Sequence, residues 1–306
     1  MNAANDETDK RQKLNRISPF SQTAFCLSGI FVMLCFFGVP PRLHADGGLY
    51  LFPKGAKAEG LGRNGLLNVD VWAVYNNQAA LAAIDEMTVG VNYENRFQIN
   101  QIGVSSGAFA APALTGTVGV DIAHTGIESY GETRIGAGYG KQLAKKLSLG
   151  VHFNYHLLSF GSGYPDLYAF TGEIGLIAEP LTNIFIGAHI FNPTLSKLNS
   201  RNEISVPLIF TIGAGYKTER LFLVSEFEKE QTGEFIPRIG GEYTMFKNMC
   251  LRTGVSFNPV EMCFGVGWTI GNLQLDVAFS WHEALGYSPQ AALSYKFAKL
   301  LNKNKK

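Results

Sequence analysis

The charged side chains most able to do chemistry in this sequence are Glu94, Arg96, Glu173, Arg238, Glu242, Arg252 and Asp276. Gathered in a water-filled bore, they could form a constriction that selects solutes. The other reading is an ion-pair network that ties one part of the chain to another. Mixed signs favour the network, because neutralised charges set no selectivity. His152 and His156 invite a metal reading. In an extended strand they lie about 13 Å apart, at roughly 3.3 Å per residue, too far to share one ion. Ser280 and His282 are neighbours, yet no G-x-S-x-G turn holds the serine as a nucleophile. The runs GAGYG (136–140) and GVGW (265–268) lack the helix and the Lys-Ser/Thr of a phosphate loop. They read as strand glycines that permit curvature or close approach. The expectation is a non-enzymatic protein with no cofactor and no metal.

The elements that carry these residues have a period of two. In LSLGVHFNYH (147–156), Leu149, Val151 and Phe153 alternate with Gly150, His152 and Asn154. LQLDVAFSWH (273–282) repeats the pattern, which marks strands with one apolar and one polar face. About fourteen such segments follow Met87: 87–97, 99–110, 113–124, 132–143, 147–158, 168–179, 183–191, 206–218, 221–230, 234–245, 249–257, 261–271, 273–281 and 289–297. Each is near the 9–11 residues of a tilted membrane strand. Long connections (159–166, 192–205, 230–234, 282–289) follow odd strands, and short turns such as Gly271-Asn272 follow even ones. The exception is a very short connection near Gln98. That rhythm belongs to an even-stranded barrel with both ends on one side of a membrane. A soluble β-sandwich, the competing fold, has no reason to show it. The expected fold is all-β: a transmembrane antiparallel up-and-down barrel of about fourteen strands. Leu149, Val151, Phe153, Ile184, Ile186, Phe264, Val266, Trp268, Leu275 and Val277 suit lipid. Glu94, Arg96, Arg134, His152, His156, Glu173, Arg238, Glu242, Arg252 and Asp276 suit the lumen.

Composition agrees. Glycine numbers 34, aromatics are 12%, mean hydropathy is +0.05, and a net charge of +1 offers nucleic acid no electrostatic basis for binding. Four regions follow. Residues 1–45 read as a signal peptide: basic Lys10 to Arg16, the apolar run Ala24–Val39, and cleavage after Ala45. A membrane anchor is the alternative for that run. Residues 46–86 include Gly55, Gly60, Gly62 and Gly65, which give a flexible backbone, and a short helical turn, NQAALAAI, with Asn77 as its N-cap. Fourteen strands enclose more space than side chains fill, so 46–86 is the expected plug of the barrel 87–297. The tail 298–306 is basic and expected to be periplasmic. Cys250 and Cys263 sit at unequal distances from the Asn258-Pro259 turn, so no disulfide is expected.

The stretch Gly55 to Phe97 resembles the N-terminal signature of the PorV/PorQ family of Bacteroidota outer-membrane barrels, which are similar to FadL transporters. The matching positions are Gly60, Gly62, Asp70, Trp72, Ala73, Asn76, Asn77, Gln78, Ala79, Leu81, Ala82, Arg96 and Phe97. His282, Leu285, Gly286, Ser288 and Pro289 match the family's closing hairpin. Gln78 departs from the pattern, standing where FadL-type chains carry proline. The resemblance implies an outer-membrane, fourteen-stranded barrel with an N-terminal segment in the lumen, in a Gram-negative bacterium. Two functions fit it: a plugged channel for small hydrophobic solutes, or a non-transporting interaction barrel that assists type IX secretion or surface-protein attachment. Expected partners are outer-membrane lipid and the barrel-assembly machinery, which an aromatic end at Phe297 resembles a signal for. A hydrophobic small molecule or a secreted cargo protein completes the set; nucleic acid is not among them.

Overall fold

The computed structural model describes residues 54–161, 163–199, 205–231 and 233–297. The signal region, residues 46–53 and the basic tail lie outside the described residues. The chain is a closed, all-antiparallel barrel of fourteen strands in sequence order. The strands are β1 (Thr88–Glu94), β2 (Val104–Ala113), β3 (Gly116–Ile127), β4 (Tyr130–Ala144), β5 (Leu147–Phe160), β6 (Leu167–Leu181) and β7 (Ile184–Phe191), then β8 (Ile209–Lys217), β9 (Leu221–Glu230), β10 (Phe235–Phe246), β11 (Met249–Ser256), β12 (Glu261–Ile270), β13 (Leu273–His282) and β14 (Gly286–Lys296). β1 pairs with β14 from Thr88↔Lys296 to Glu94↔Gln290, so no edge is left open.

Alternation sorts the two faces. In β1, Thr88, Gly90, Asn92 and Glu94 are buried while Val89, Val91 and Tyr93 are exposed. Phe153 is 73% exposed and Phe170 65%. Large aromatic side chains all round an outer surface fit hydrocarbon, and charged ones fit the inside. Cys250 pairs in register with Gly267, and Cys263 with Gly254, so the two thiols do not oppose each other.

Seven strand boundaries differ by three residues or more from those expected; β2 ends at Ala113 rather than 110, and β3 spans Gly116–Ile127 rather than 113–124. β1 ends at Glu94, not 97, and β2 starts at Val104, not 99. Phe97 (φ 53°) and Gln98 (φ 58°) take left-handed backbone, which breaks the strand into two 3-10 turns. Arg96 therefore lies in a loop, held by its 2.8 Å bond to Glu94. The connection near Gln98 is thus a long one, 95–103, and the short odd connection is 128–129 instead. β8 begins at Ile209 rather than 206, because Asn192 Nδ2 draws Val206 O into the loop at 2.8 Å. β14 begins at Gly286 rather than 289. His282 Nδ1 accepts from the backbone of Ala284 and Leu285 and closes that hairpin early.

Residues 54–86 run inside the bore. They form α1 (Ala56–Gly60), α2 (Ala73–Asn76) and a 3-10 turn, Gln78–Ala83. Asn77 accepts from Ala79 N at 3.1 Å, as its N-cap role requires. This segment touches β1, β3–β8 and β10–β12 at their inward glycines. A chain that reaches so many strands of a closed cylinder can only be inside it. Its apolar side (Val71, Trp72, Val74, Tyr75, Leu81) packs on small wall residues: Ala108, Ala110, Ala123 and Ala292.

Candidate functional site

The segment meets the wall at two glycine seats. At the first, Gly140, Gly150 and Gly175 share one row of the register across β4, β5 and β6. A Cβ on Gly140 or Gly150 would overlap the backbone of Gln78, and one on Gly175 would overlap Asn77. At the second, Gly240, Gly254 and Gly265 of β10, β11 and β12 receive the turn Gly60–Gly62. Gly62 has φ +74° and lies 2.6 Å, by its would-be Cβ, from Val255 N. Only glycine fits both the left-handed backbone and that approach.

Glu173 anchors the first seat. Its carboxylate accepts from Gln78 Nε2 at 2.7 Å, Arg134 Nη2 at 2.8 Å and Asn154 Nδ2 at 2.7 Å, with His189 Nε2 at 2.9 Å. Asp121 binds His152 Nε2 at 2.6 Å alongside. His152 and His156 take different partners, Asp121 and Thr171. Arg134 also stacks 5.0 Å over the Tyr75 ring. Gln78, which replaces the proline of the FadL pattern, makes the side-chain bond to Glu173 that a proline could not.

Arg63 anchors the second seat. It reaches Glu261 of β12 at 2.9 Å and Glu59 at 3.4 Å. Burial opposes its charge, but those carboxylates hold its pKa above the ordinary value. Nearby, Arg252 joins Glu242 and Asp276, each at 2.6 Å. Asp276 is two strands from Arg252, and the pair meets across Gly267, where any Cβ would stand 2.6 Å from both. Lys57 of the segment lies 4.0 Å from Glu242.

The expected charged set therefore falls into separate groups. Arg252, Glu242 and Asp276 come together; Glu173 sits with Arg134. Arg238 does not pair with Glu242 of its own strand but makes two bonds, 2.8 and 2.9 Å, to Glu228. Glu94 and Arg96 pair at the loop end of β1. Asp70 accepts from Trp72 N at 2.9 Å and is held above the ordinary carboxylate range by burial. Asn76 ties the backbone of Lys54 with two bonds, at 2.8 and 2.9 Å. Sequence reasoning missed Asp121, His189, Glu226 and the Arg63–Glu261 pair. Glu226 takes Leu66 N at 2.8 Å, a second wall carboxylate on the segment. Its inward parity with Val224 and Glu228 was the available signal. Among the described residues no group of three potential ligands is placed to hold a metal.

Lys54 is unusual. It is 1% exposed, and its Nζ has no hydrogen-bond partner among the described residues. Burial, with Arg96 next in effect, pushes its pKa down to about 7.

No family model matches the chain, and no curated protein does. Solved structures do. The toluene transporter TbuX of Ralstonia pickettii is 13% identical, with a TM-score of 0.61 over 80% of this chain and 98% of that one. The Pseudomonas putida toluene transporter TodX gives 12%, 0.61, 80% and 98%. A Pseudomonas aeruginosa FadL homologue gives 12%, 0.56, 79% and 98%. At such identities the likeness is one of fold.

Proposed function

We propose that this chain is an outer-membrane channel of the FadL-like type, exported by its N-terminal signal, which passes small hydrophobic solutes and is closed at rest by residues 46–86. The observation that carries this reading is the seating of the segment 54–86 on two sets of inward glycines, in a barrel whose outward belt is apolar. A barrel that only displayed loops would gain nothing from so fitted an interior. Support also comes from the fold shared with barrels described as toluene transporters and a monoaromatic hydrocarbon channel. Kinship with PorV/PorQ barrels is part of the same proposal and rests on the stretch Gly55 to Phe97 and the closing hairpin His282 to Pro289.

In this reading the charged groups are ties rather than a filter. Glu173 and Glu226 hold the segment by hydrogen bonds, and Glu261 holds it by an ion pair. Opening means releasing those ties on one side while the barrel stands. Phe297, at the end of the last strand, serves the barrel-assembly machinery.

Conductance in planar bilayers tests the plug, comparing intact protein with a variant lacking 49–80. The expected result is a silent intact barrel and a conducting deletion. Steady conduction by intact protein, or failure of the deletion to insert, overturns the reading. Uptake of toluene by cells carrying the protein, against cells carrying an empty vector, tests the solute class; equal uptake sinks it.

A further inference from the structure

The outward belt is not uniform. Along one register row, β1 to β6 present Tyr93, Ser105, His124, Thr133, Leu157 and Tyr168. Tyrosines stand at both ends of that row, and three polar side chains interrupt it. His124 Nδ1 and Thr133 Oγ1 are joined at 2.9 Å, and Ser105 and His124 are exposed. Two residues further along the same strands the row is Val91, Gly107, Ile122 and Ile135. Gly107 leaves a notch between valine and isoleucine. Two adjoining outer hollows of about 610 and 710 Å³ meet there, sharing Val91, Gly107 and Ile122. No charged side chain lines the first, and Ala291 and Leu293 of β14 complete its apolar floor.

A long apolar hollow beneath a short row of neutral donors is amphipathic in a definite order. Elsewhere the same belt carries bulky outward groups such as Phe227, Phe235, Phe264 and Trp281. Hydroxyl and imidazole groups facing hydrocarbon are unfavourable unless they find acceptors. We propose that this hollow is a binding site for one lipid of the surrounding bilayer. The chain lies over Gly107, between Val91 and Ile122. The ester or phosphate oxygens accept hydrogen bonds from Ser105, His124 and Tyr93. The absence of charge in the lining of the first hollow, where the donors stand, fits these uncharged groups and selects no headgroup charge. The proposal rests on the membrane reading above and is independent of transport.

The test uses full-length protein in liposomes of phosphatidylethanolamine that carries a diazirine at mid-chain. After photolysis, crosslinks are mapped by mass spectrometry. Val91, Gly107 and Ile122 should be labelled at least about fourfold above the belt positions Ile212 and Leu223 on the opposite strands β8 and β9, the preference one buried CH₂ would give. Gly107→Phe should return that labelling to the belt level. A Cβ there meets only Ile122 Cγ2, at an ordinary 3.5 Å, and Gly90 O at 3.9 Å, so the barrel accommodates the change. Ala291→Phe, at an exposed position, fills the hollow from its other side should the first variant misassemble. Ser105→Ala with His124→Ala should lower labelling without altering the barrel. Even labelling around the belt overturns the lipid site while leaving the membrane reading intact. Absence of labelling on every outward position overturns the membrane reading itself. Enriched labelling that persists in both notch-filling variants also overturns the site.

Discussion

The two glycine seats receive the same segment in the same way and lock it differently. At β4–β6 the seated piece is a 3-10 turn capped by Asn77, and its lock is a neutral amide, Gln78, on a carboxylate already shared with Arg134 and Asn154. At β10–β12 the seated piece is a glycine turn, and its lock is an ion pair, Arg63 with Glu261, reinforced from within the segment by Glu59. Shape complementarity is common to both, because a wall glycine is the cheapest way to let two backbones touch. Chemistry differs, because the first lock joins a carboxylate that also binds Arg134 and Asn154 of the wall, and the second pairs a wall carboxylate with a charged side chain of the segment. The first seat should therefore fail together with the barrel, and the second should fail alone.

Substitutions separate these behaviours. The largest effect should come from Glu173→Ala, which leaves Arg134 only Asn154 and the more distant Asp121 and at once removes the partner of Gln78, Asn154 and His189. Breaking a buried pair in this way costs about 3–5 kcal/mol. Denaturant unfolding of the reconstituted barrel should shift strongly, whereas Glu261→Ala should shift it far less, since Arg63 keeps Glu59. Equal shifts would erase the distinction between the seats. Gly150→Leu should come next. Its Cβ overlaps backbone rather than a side chain that could turn aside, so a penalty near the top of the overpacking range, about 3 kcal/mol, is expected. Protease accessibility is the readout: residues 54–86 and the wall strands β4–β6 should become cleavable together.

Lys54 supplies a pH dependence. Seated, its pKa is about 7; released, it returns towards the ordinary lysine value of 10.5. Between those values the released state binds the extra proton, so seating strengthens as pH rises from 7 to 10.5. The gain is at most about 1.4 kcal/mol per pH unit, and below pH 7 the penalty is complete and flat. Lys54→Met should abolish the slope and tighten the seat at pH 7. Residual conductance against pH measures both, and a wild-type slope unchanged by the substitution would rule Lys54 out as the titrating group. The smallest effect should be that of Asn77→Ala. Loss of the cap costs about 1 kcal/mol and should show as faster amide exchange over 78–83 alone.

Much of the barrel was legible because strand signals are local. Alternation in LSLGVHFNYH assigns each side chain a face, and short turns such as Gly271-Asn272 mark where the chain reverses. Several of the boundaries that moved did so where side chains reach beyond their own strand. His282 closes its hairpin early, Asn192 pulls Val206 into a loop, and Phe97 and Gln98 adopt left-handed backbone. Parity could place Glu173, Arg238, Arg252 and Asp276 inside. It could not say which of them pair, since partners depend on how strands and segment are set against one another.

The sequence by itself determined the number of strands, the face taken by residues within them and the capped turn at Asn77, because each follows from neighbours within a few residues. Tertiary structure alone decided that Gln78 meets Glu173, 95 residues away, and that Arg252 meets Asp276 across the bare backbone of Gly267. A hydrogen bond or ion pair needs its atoms within about 3 Å. Closure of the sheet and insertion of the segment bring such distant residues that close.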